Sequence, residues 1–125
     1  MSTLHPILVV DDDEDIREVM AMALSAVGHD VATAADGLEA LQLVNGGLRP
    51  ALVLLDMMMP RMDGEGFLVS VRRTPAIADI PVVVLSGHRA ARQKADDLRA
   101  DGCLVKPIEL DELLGAVNRF AIKEG

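Results

Sequence analysis

Five short apolar runs alternate along the chain with stretches of helical periodicity, and that alternation leaves few folds open. The runs are residues 7–10 (ILVV), 30–34 (DVATA), 51–55 (ALVLL), 81–85 (PVVVL) and 103–105 (CLV). Continuous apolar runs of this length read as strands buried on both faces, the mark of a parallel sheet. The second run mixes in polar residues and suits a sheet edge. Between the runs, Ile16, Val19, Met20, Ala23, Leu24 and Val27 recur at three- and four-residue steps before Gly28. Leu38, Leu41 and Val44 repeat the pattern before Gly46 and Gly47, and Phe67, Leu68 and Val71 do so before Pro75. Ala91, Ala95 and Leu98 suggest a fourth helix, with Arg89, Arg92, Lys94 and Arg99 on its wetter positions. Leu110, Leu113, Leu114, Val117 and Phe120 mark a fifth. Glycine just past a periodic stretch and proline beyond it are helix stops. The order is (βα)5, and right-handed crossovers turn it into an α/β three-layer sandwich.

The chain has 125 residues, half of them hydrophobic, which suits one domain over 1–125 with an ordinary core. The formal net charge of −8 opposes direct binding of nucleic acid, whose phosphates favour a basic surface. Trp and Tyr are absent and only Phe67 and Phe120 are aromatic, so no platform for stacking bases is expected. The single cysteine, Cys103, cannot form an internal bridge and fits a reducing cytoplasm. The first six residues lack the basic and apolar regions of a signal peptide. No apolar stretch approaches the roughly 18 residues of a membrane span. A cytoplasmic protein is therefore expected.

In an open parallel sheet, ligands bind outside the carboxyl ends of the strands. Asp11 to Asp15 (DDDED) follow the first run, Asp56 the third, Ser86 and Gly87 the fourth, Lys106 and Pro107 the fifth. The fold thus gathers carboxylates, a hydroxyl and an ammonium at one edge. Two carboxylates about 4 Å apart repel by roughly 4 kcal/mol at an effective dielectric near 20. A divalent cation removes that repulsion. Hard oxygen ligands without His or Cys favour Mg2+, which keeps some of its waters and suits a phosphate substrate. Lys106 adds a point charge for a phosphate oxygen and Ser86 a hydrogen bond. A carboxylate can itself be the nucleophile and form an aspartyl phosphate. Asp56 stands alone on its strand, whereas Asp11 and Asp12 come as a pair suited to the metal.

These residues resemble the receiver domain of two-component response regulators, in its single-domain, CheY-like form. The matching stretches are ILVVDDD at 7–13, AADGLEAL at 34–41, LLDMMMPRMDG at 54–64, VVVLSG at 82–87 and LVKP at 104–107. The resemblance implies a flavodoxin-like sheet of strand order 2-1-3-4-5. It makes Asp56 the phosphoacceptor, Asp12 a direct Mg2+ ligand, Asp11 a ligand mainly through water, and the Met58 backbone carbonyl a further ligand. Ser86 becomes the switch hydroxyl and Lys106 the phosphoryl partner, with a cis Lys106–Pro107 bond. The implied donors are a sensor histidine kinase or a histidine phosphotransfer protein, and the implied output is a phosphorylation-dependent partner protein. The family's docking surface lies on the fourth helix, fifth strand and fifth helix. Its switch aromatic falls here on Cys103, so any output change travels without an aromatic rotamer. Met58 and His88 occupy the positions that tune how long the phosphoryl group lasts.

Plainer roles fit other residues. Glu14 and Asp15 read as helix-capping acids, Asp13 as cap or site periphery, and Asp63-Gly64 as a turn and cap. Met57, Met58 and Met59 read as packing rather than a soft-metal site. His5, His29 and His88 are scattered. Two other functions are compatible with parts of the pattern. A haloacid-dehalogenase-type phosphohydrolase also uses an Asp nucleophile, but carries a second Asp where this chain has Met58. A receiver-like interaction module that takes no phosphate would not need Asp12, Asp56 and Lys106 together.

Overall fold

The computed structural model describes residues 5–57, 62–87 and 98–121. Its strands are β1 (Ile7–Val10), β2 (Val31–Ala34), β3 (Leu52–Asp56), β4 (Val82–Ser86) and β5 (Gly102–Val105). Its helices are α1 (Glu14–Ala26), α2 (Gly37–Asn45), α3 (Gly64–Arg73) and a C-terminal α4 (Leu110–Phe120). The helix expected around Ala91 and Ala95, with Arg89, Arg92 and Lys94, lies outside the described residues, as do Met58 and His88. The five strands form one parallel sheet in the order β2-β1-β3-β4-β5. The polar-mixed run forms an edge strand, as its composition suggested.

Alternating side chains feed two cores. Leu8, Val10, Val53, Leu55, Val82 and Val84 pack with Ala40, Val44, Phe67, Leu68 and Val71 of α2 and α3. Ile7, Val9, Leu52, Leu54, Val83 and Leu85 pack with Met20 and Leu24 of α1 and Leu113 and Val117 of α4. Every residue of β1, β3 and β4 is buried, whereas β5, at the other edge, is half-buried throughout. Cys103, half-buried, reaches the first core only from that edge. Helix α1 stops where Gly28 takes up φ +96, a conformation that costs glycine no steric strain.

One expectation from periodicity needs correction. The apolar stripe of α1 is wider than its contact with the sheet. Met20 and Leu24 are buried, but Ile16, Val19 and Val27 are 40%, 65% and 54% exposed, and Met22 is 71% exposed. No helix among the described residues covers that flank. A groove of about 640 Å³ runs there instead, between Ile16, Val19 and Met20 on one side and Ile108 and Leu113 on the other. No helix among the described residues is long and apolar enough to cross a membrane.

At the opposite end of the sheet from the strand ends that carry Ser86 and Lys106, Arg72 of α3 ties β4 and β5 together. Its guanidinium donates to the carbonyls of Ala78 (3.0 Å), Ile80 (2.7 Å) and Arg99 (3.0 and 3.1 Å), and to Asp101 Oδ2 (3.1 Å). That same Asp101 oxygen accepts from the Val82 N–H at 2.7 Å. Only a planar fork of several donors can satisfy so many acceptors at once. Arg72→Lys keeps the charge and strands most of the acceptors. We predict a loss of about 2–3 kcal/mol, read as a fall in Tm of roughly 5–10 °C in a thermal melt. A loss below about 0.5 kcal/mol would mean that these contacts do not bind the two strands together.

Candidate functional site

Each site residue arrives on its own strand end. Asp11 follows β1, and its N–H donates to Ala34 O (3.2 Å), so strand pairing continues beyond Val10. Asp56 and Ser86 are the final residues of β3 and β4 rather than the first residues after them. Asp56 is in register with Leu85 and Ser86 with Val105, and pairing extends one residue further than the apolar runs. Lys106 follows β5, and its N–H donates to Ser86 O at 2.7 Å. The ladder therefore fixes the backbone beneath the Asp56 carboxylate, the Ser86 hydroxyl and the Lys106 ammonium.

One carboxylate oxygen from each of Asp11, Asp12 and Asp56 lies within 4.8 Å of the others. Asp11 and Asp56 are buried and Asp12 is exposed. Lys106 Nζ sits between the two buried acids, 3.5 Å from Asp56 Oδ2 and 3.7 Å from Asp11 Oδ2. Among the described residues, Lys106 is the cation that pairs with these carboxylates. Asp11 Oδ2 has no hydrogen-bond partner among the described residues, although it is fully enclosed. A buried carboxylate oxygen in that condition is costly unless an ion satisfies it. The donor set is all oxygen, with no His or Cys, and fits Mg2+.

The turn between β1 and α1 shows how the acid run divides its tasks. Asp11 Oδ1 accepts from the Asp13 N–H (2.9 Å), and Asp13 in turn accepts from the N–H groups of Asp15 (3.0 Å) and Ile16 (3.2 Å). Asp13 is thus the N-cap of α1, with Glu14 and Asp15 in its first turn. Asp63 caps α3 in the same way through the Gly66 N–H (2.9 Å). At Gly64 the chain passes so close to the end of β3 that a Cβ would lie 2.6 Å from Asp56 O and 2.8 Å from Met57 Cα. The start of α3 is therefore wedged under Asp56. That role was hidden behind the ordinary turn signal of Asp-Gly. Arg17 was also missed. Its Nη1 donates to Asp11 O at 2.8 Å. Helical side chains lean toward the N-terminus, so an arginine one turn into α1 could have been expected to reach back over this loop.

The Lys106–Pro107 bond is cis, as the resemblance implied. Cys103 pairs with Val84 in β5. The implied carbonyl ligand at Met58 lies outside the described residues. His5 Nδ1 lies 2.9 Å from Arg49 O, and neither it nor His29 belongs to the carboxylate cluster.

Residues 7–118 match the family model of the response regulator receiver domain. The chain belongs to that family. This receiver is 43% identical over 114 residues to the response regulator MprA of Mycobacterium sp. (strain KMS), covering 90% of this chain and 48% of the relative. It is 36% identical over 114 residues to the DNA-binding dual master transcriptional regulator RpaA of Synechocystis sp., covering 90% and 47%. The receiver thus spans about half the length of these relatives. Among solved structures, chemotaxis response regulator CheY4 of Vibrio cholerae superposes with a TM-score of 0.85 at 32% identity, over 94% of this chain and 99% of that one.

The crowding of these carboxylates has a measurable consequence. Without divalent cations, Asp12→Asn relieves repulsion and raises stability by about 1 kcal/mol or less, since Asp12 is exposed. With Mg2+ at ten times its Kd the wild type gains about 1.4 kcal/mol. Thermal melts should therefore show the variant as the more stable protein in EDTA and the less stable one in Mg2+. The same order in both buffers would contradict the electrostatic account.

Proposed function

We propose that this receiver takes a phosphoryl group from a phosphohistidine onto Asp56, with Mg2+ held by Asp11, Asp12, Asp56 and the Met58 carbonyl. The observation that carries this reading is the Lys106 ammonium placed between Asp56 and Asp11, beside a cluster of three carboxylates that could hold a cation. A bound Mg2+ would supply charge neutralisation for the phosphoryl oxygens. The chain's own residues do the rest. An Asp56 carboxylate oxygen attacks phosphorus, the phosphorus–nitrogen bond of the donor breaks, and its electron pair leaves with the imidazole. Lys106 balances charge on an equatorial oxygen, and the Ser86 hydroxyl donates to another. Phosphoryl transfer needs little beyond such positioning and neutralisation. Hydrolysis returns Asp56 to its carboxylate when water attacks the same phosphorus. The receiver is a switch that turns over its own phosphate, and no separate substrate is required.

The donor is a sensor histidine kinase or a histidine phosphotransfer protein. Its approach is supported by the groove beside α1, which shares Asp11 and Lys106 with the site and adds the exposed Ile16 and Val19. Residues 1–125 act as one receiver unit, working in the cytoplasm. Its output passes to a surface that recognises the phosphorylated state. That surface belongs either to a separate protein or to a further part of the polypeptide, as the length of the relatives allows. New contacts from Lys106 and Ser86 to the phosphoryl group bias a pre-existing equilibrium. Moving it from 1:99 to 99:1 takes about 5.5 kcal/mol.

Incubation with acetyl phosphate and Mg2+ tests this reading. Intact mass spectrometry should show one added phosphoryl group, sensitive to hydroxylamine and absent in Asp56→Asn or in EDTA. Lys106→Met should slow the reaction by about 100-fold, the usual cost of losing one charge-stabilising donor. No adduct on the wild type, or an equal adduct on Asp56→Asn, would defeat it.

A further inference from the structure

The site needs Asp11 and Asp12 to serve one ion, yet adjacent residues of an extended strand point to opposite faces. Something must turn the chain between them and hold it turned. The Asp11 side chain is already fixed through Oδ1 by the Asp13 N–H, and the Asp11 N–H by Ala34 O. Neither bond fixes the peptide group joining Asp11 to Asp12. That group is planar, so holding its carbonyl oxygen also fixes its N–H and the direction in which Asp12 begins. That carbonyl accepts from Arg17 Nη1, at 2.8 Å. Arg17 is itself anchored, since its N–H donates to Asp13 O (3.0 Å) in the first turn of α1.

We propose that Arg17 is a positioning residue for cation binding: its guanidinium locks the Asp11–Asp12 peptide plane and so aims Asp12 at the ion. The proposal rests on the reading of the carboxylate cluster as a Mg2+ site. It also predicts a sign that charge alone would reverse. Arg17 brings a positive charge to an anionic loop, so deleting that charge by itself tightens cation binding. Losing the lock loosens it, as the loss of a group that orients metal ligands does.

The test is a Mg2+ titration of the full chain, followed by amide chemical shifts or calorimetry, on wild type, Arg17→Met and Arg17→Lys. Tm is measured for each. The Mg2+ dependence of acetyl phosphate labelling is measured alongside. We expect Kd for Mg2+ to rise about tenfold in Arg17→Met. The labelling rate at saturating Mg2+ should stay near the wild-type value, because Lys106 and Ser86 are untouched. Arg17→Lys keeps the charge and can still donate one hydrogen bond, so its Kd should fall between the two. It also carries the test if Arg17→Met does not fold. Unchanged or tighter Mg2+ binding in a folded variant overturns the proposal. Failure of the wild type to bind Mg2+ instead defeats the reading of the cluster, and the proposal with it.

Discussion

Crowded negative charge is the constraint around which this fold is arranged. Asp11, Asp12 and Asp56 bring carboxylate oxygens within 4.8 Å of one another, and Lys106 offsets only part of their charge. Left to itself, such a cluster would push the ends of β1 and β3 apart. The sheet resists because its central strands are buried on both faces and their hydrogen bonding runs past the apolar residues to the site itself. Asp11, Asp56, Ser86 and Lys106 each follow directly on, or end, a stretch of paired backbone. Electrostatic strain at the rim is therefore held by hydrophobic packing in the middle. A cation entering the rim would relieve it, whereas a phosphoryl group adds negative charge and needs a cation and Lys106 beside it.

The rim also depends on contacts far from it. Arg72 binds the starting ends of β4 and β5, whose other ends carry Ser86 and Lys106. Gly64 lets α3 begin directly beneath Asp56. Asp13 closes the first turn of α1 and leaves Asp11 and Asp12 outside the helix, at the strand end. A five-residue acidic run thus splits into two residues at the sheet edge and three for helix initiation. The split follows from backbone geometry, since only the residues before the cap remain at the strand end.

Much of this was legible in the residue order. ILVV and ALVLL read as buried strands, and the rule that ligands gather at the carboxyl ends of a parallel sheet pointed to the edge where Asp11, Asp12 and Asp56 come together beside Lys106. Periodicity overstated the buried face of α1, because a three-and-four spacing marks an apolar stripe without saying how much of it a sheet can cover. Ile16 and Val19 look the same in the sequence as Met20 and Leu24, and only the missing neighbour on that flank separates them. The Arg72 clamp was invisible for a different reason. Apart from Asp101, its acceptors are backbone carbonyls between 6 and 27 residues away, and a carbonyl has no letter in the sequence. Arg17 was hidden in the same way, its partner being the backbone of Asp11.

The central claim is that three strand-end carboxylates share one hard divalent cation beside Lys106. Anomalous diffraction from crystals soaked in Mn2+, an oxygen-seeking stand-in for Mg2+, tests it most directly. The account predicts a peak bounded by Asp11, Asp12 and Asp56, with at least one carboxylate oxygen about 2.1 Å from the ion. A structure at saturating Mn2+ with no peak among those side chains, or with the ion bound at another acidic patch, would contradict it.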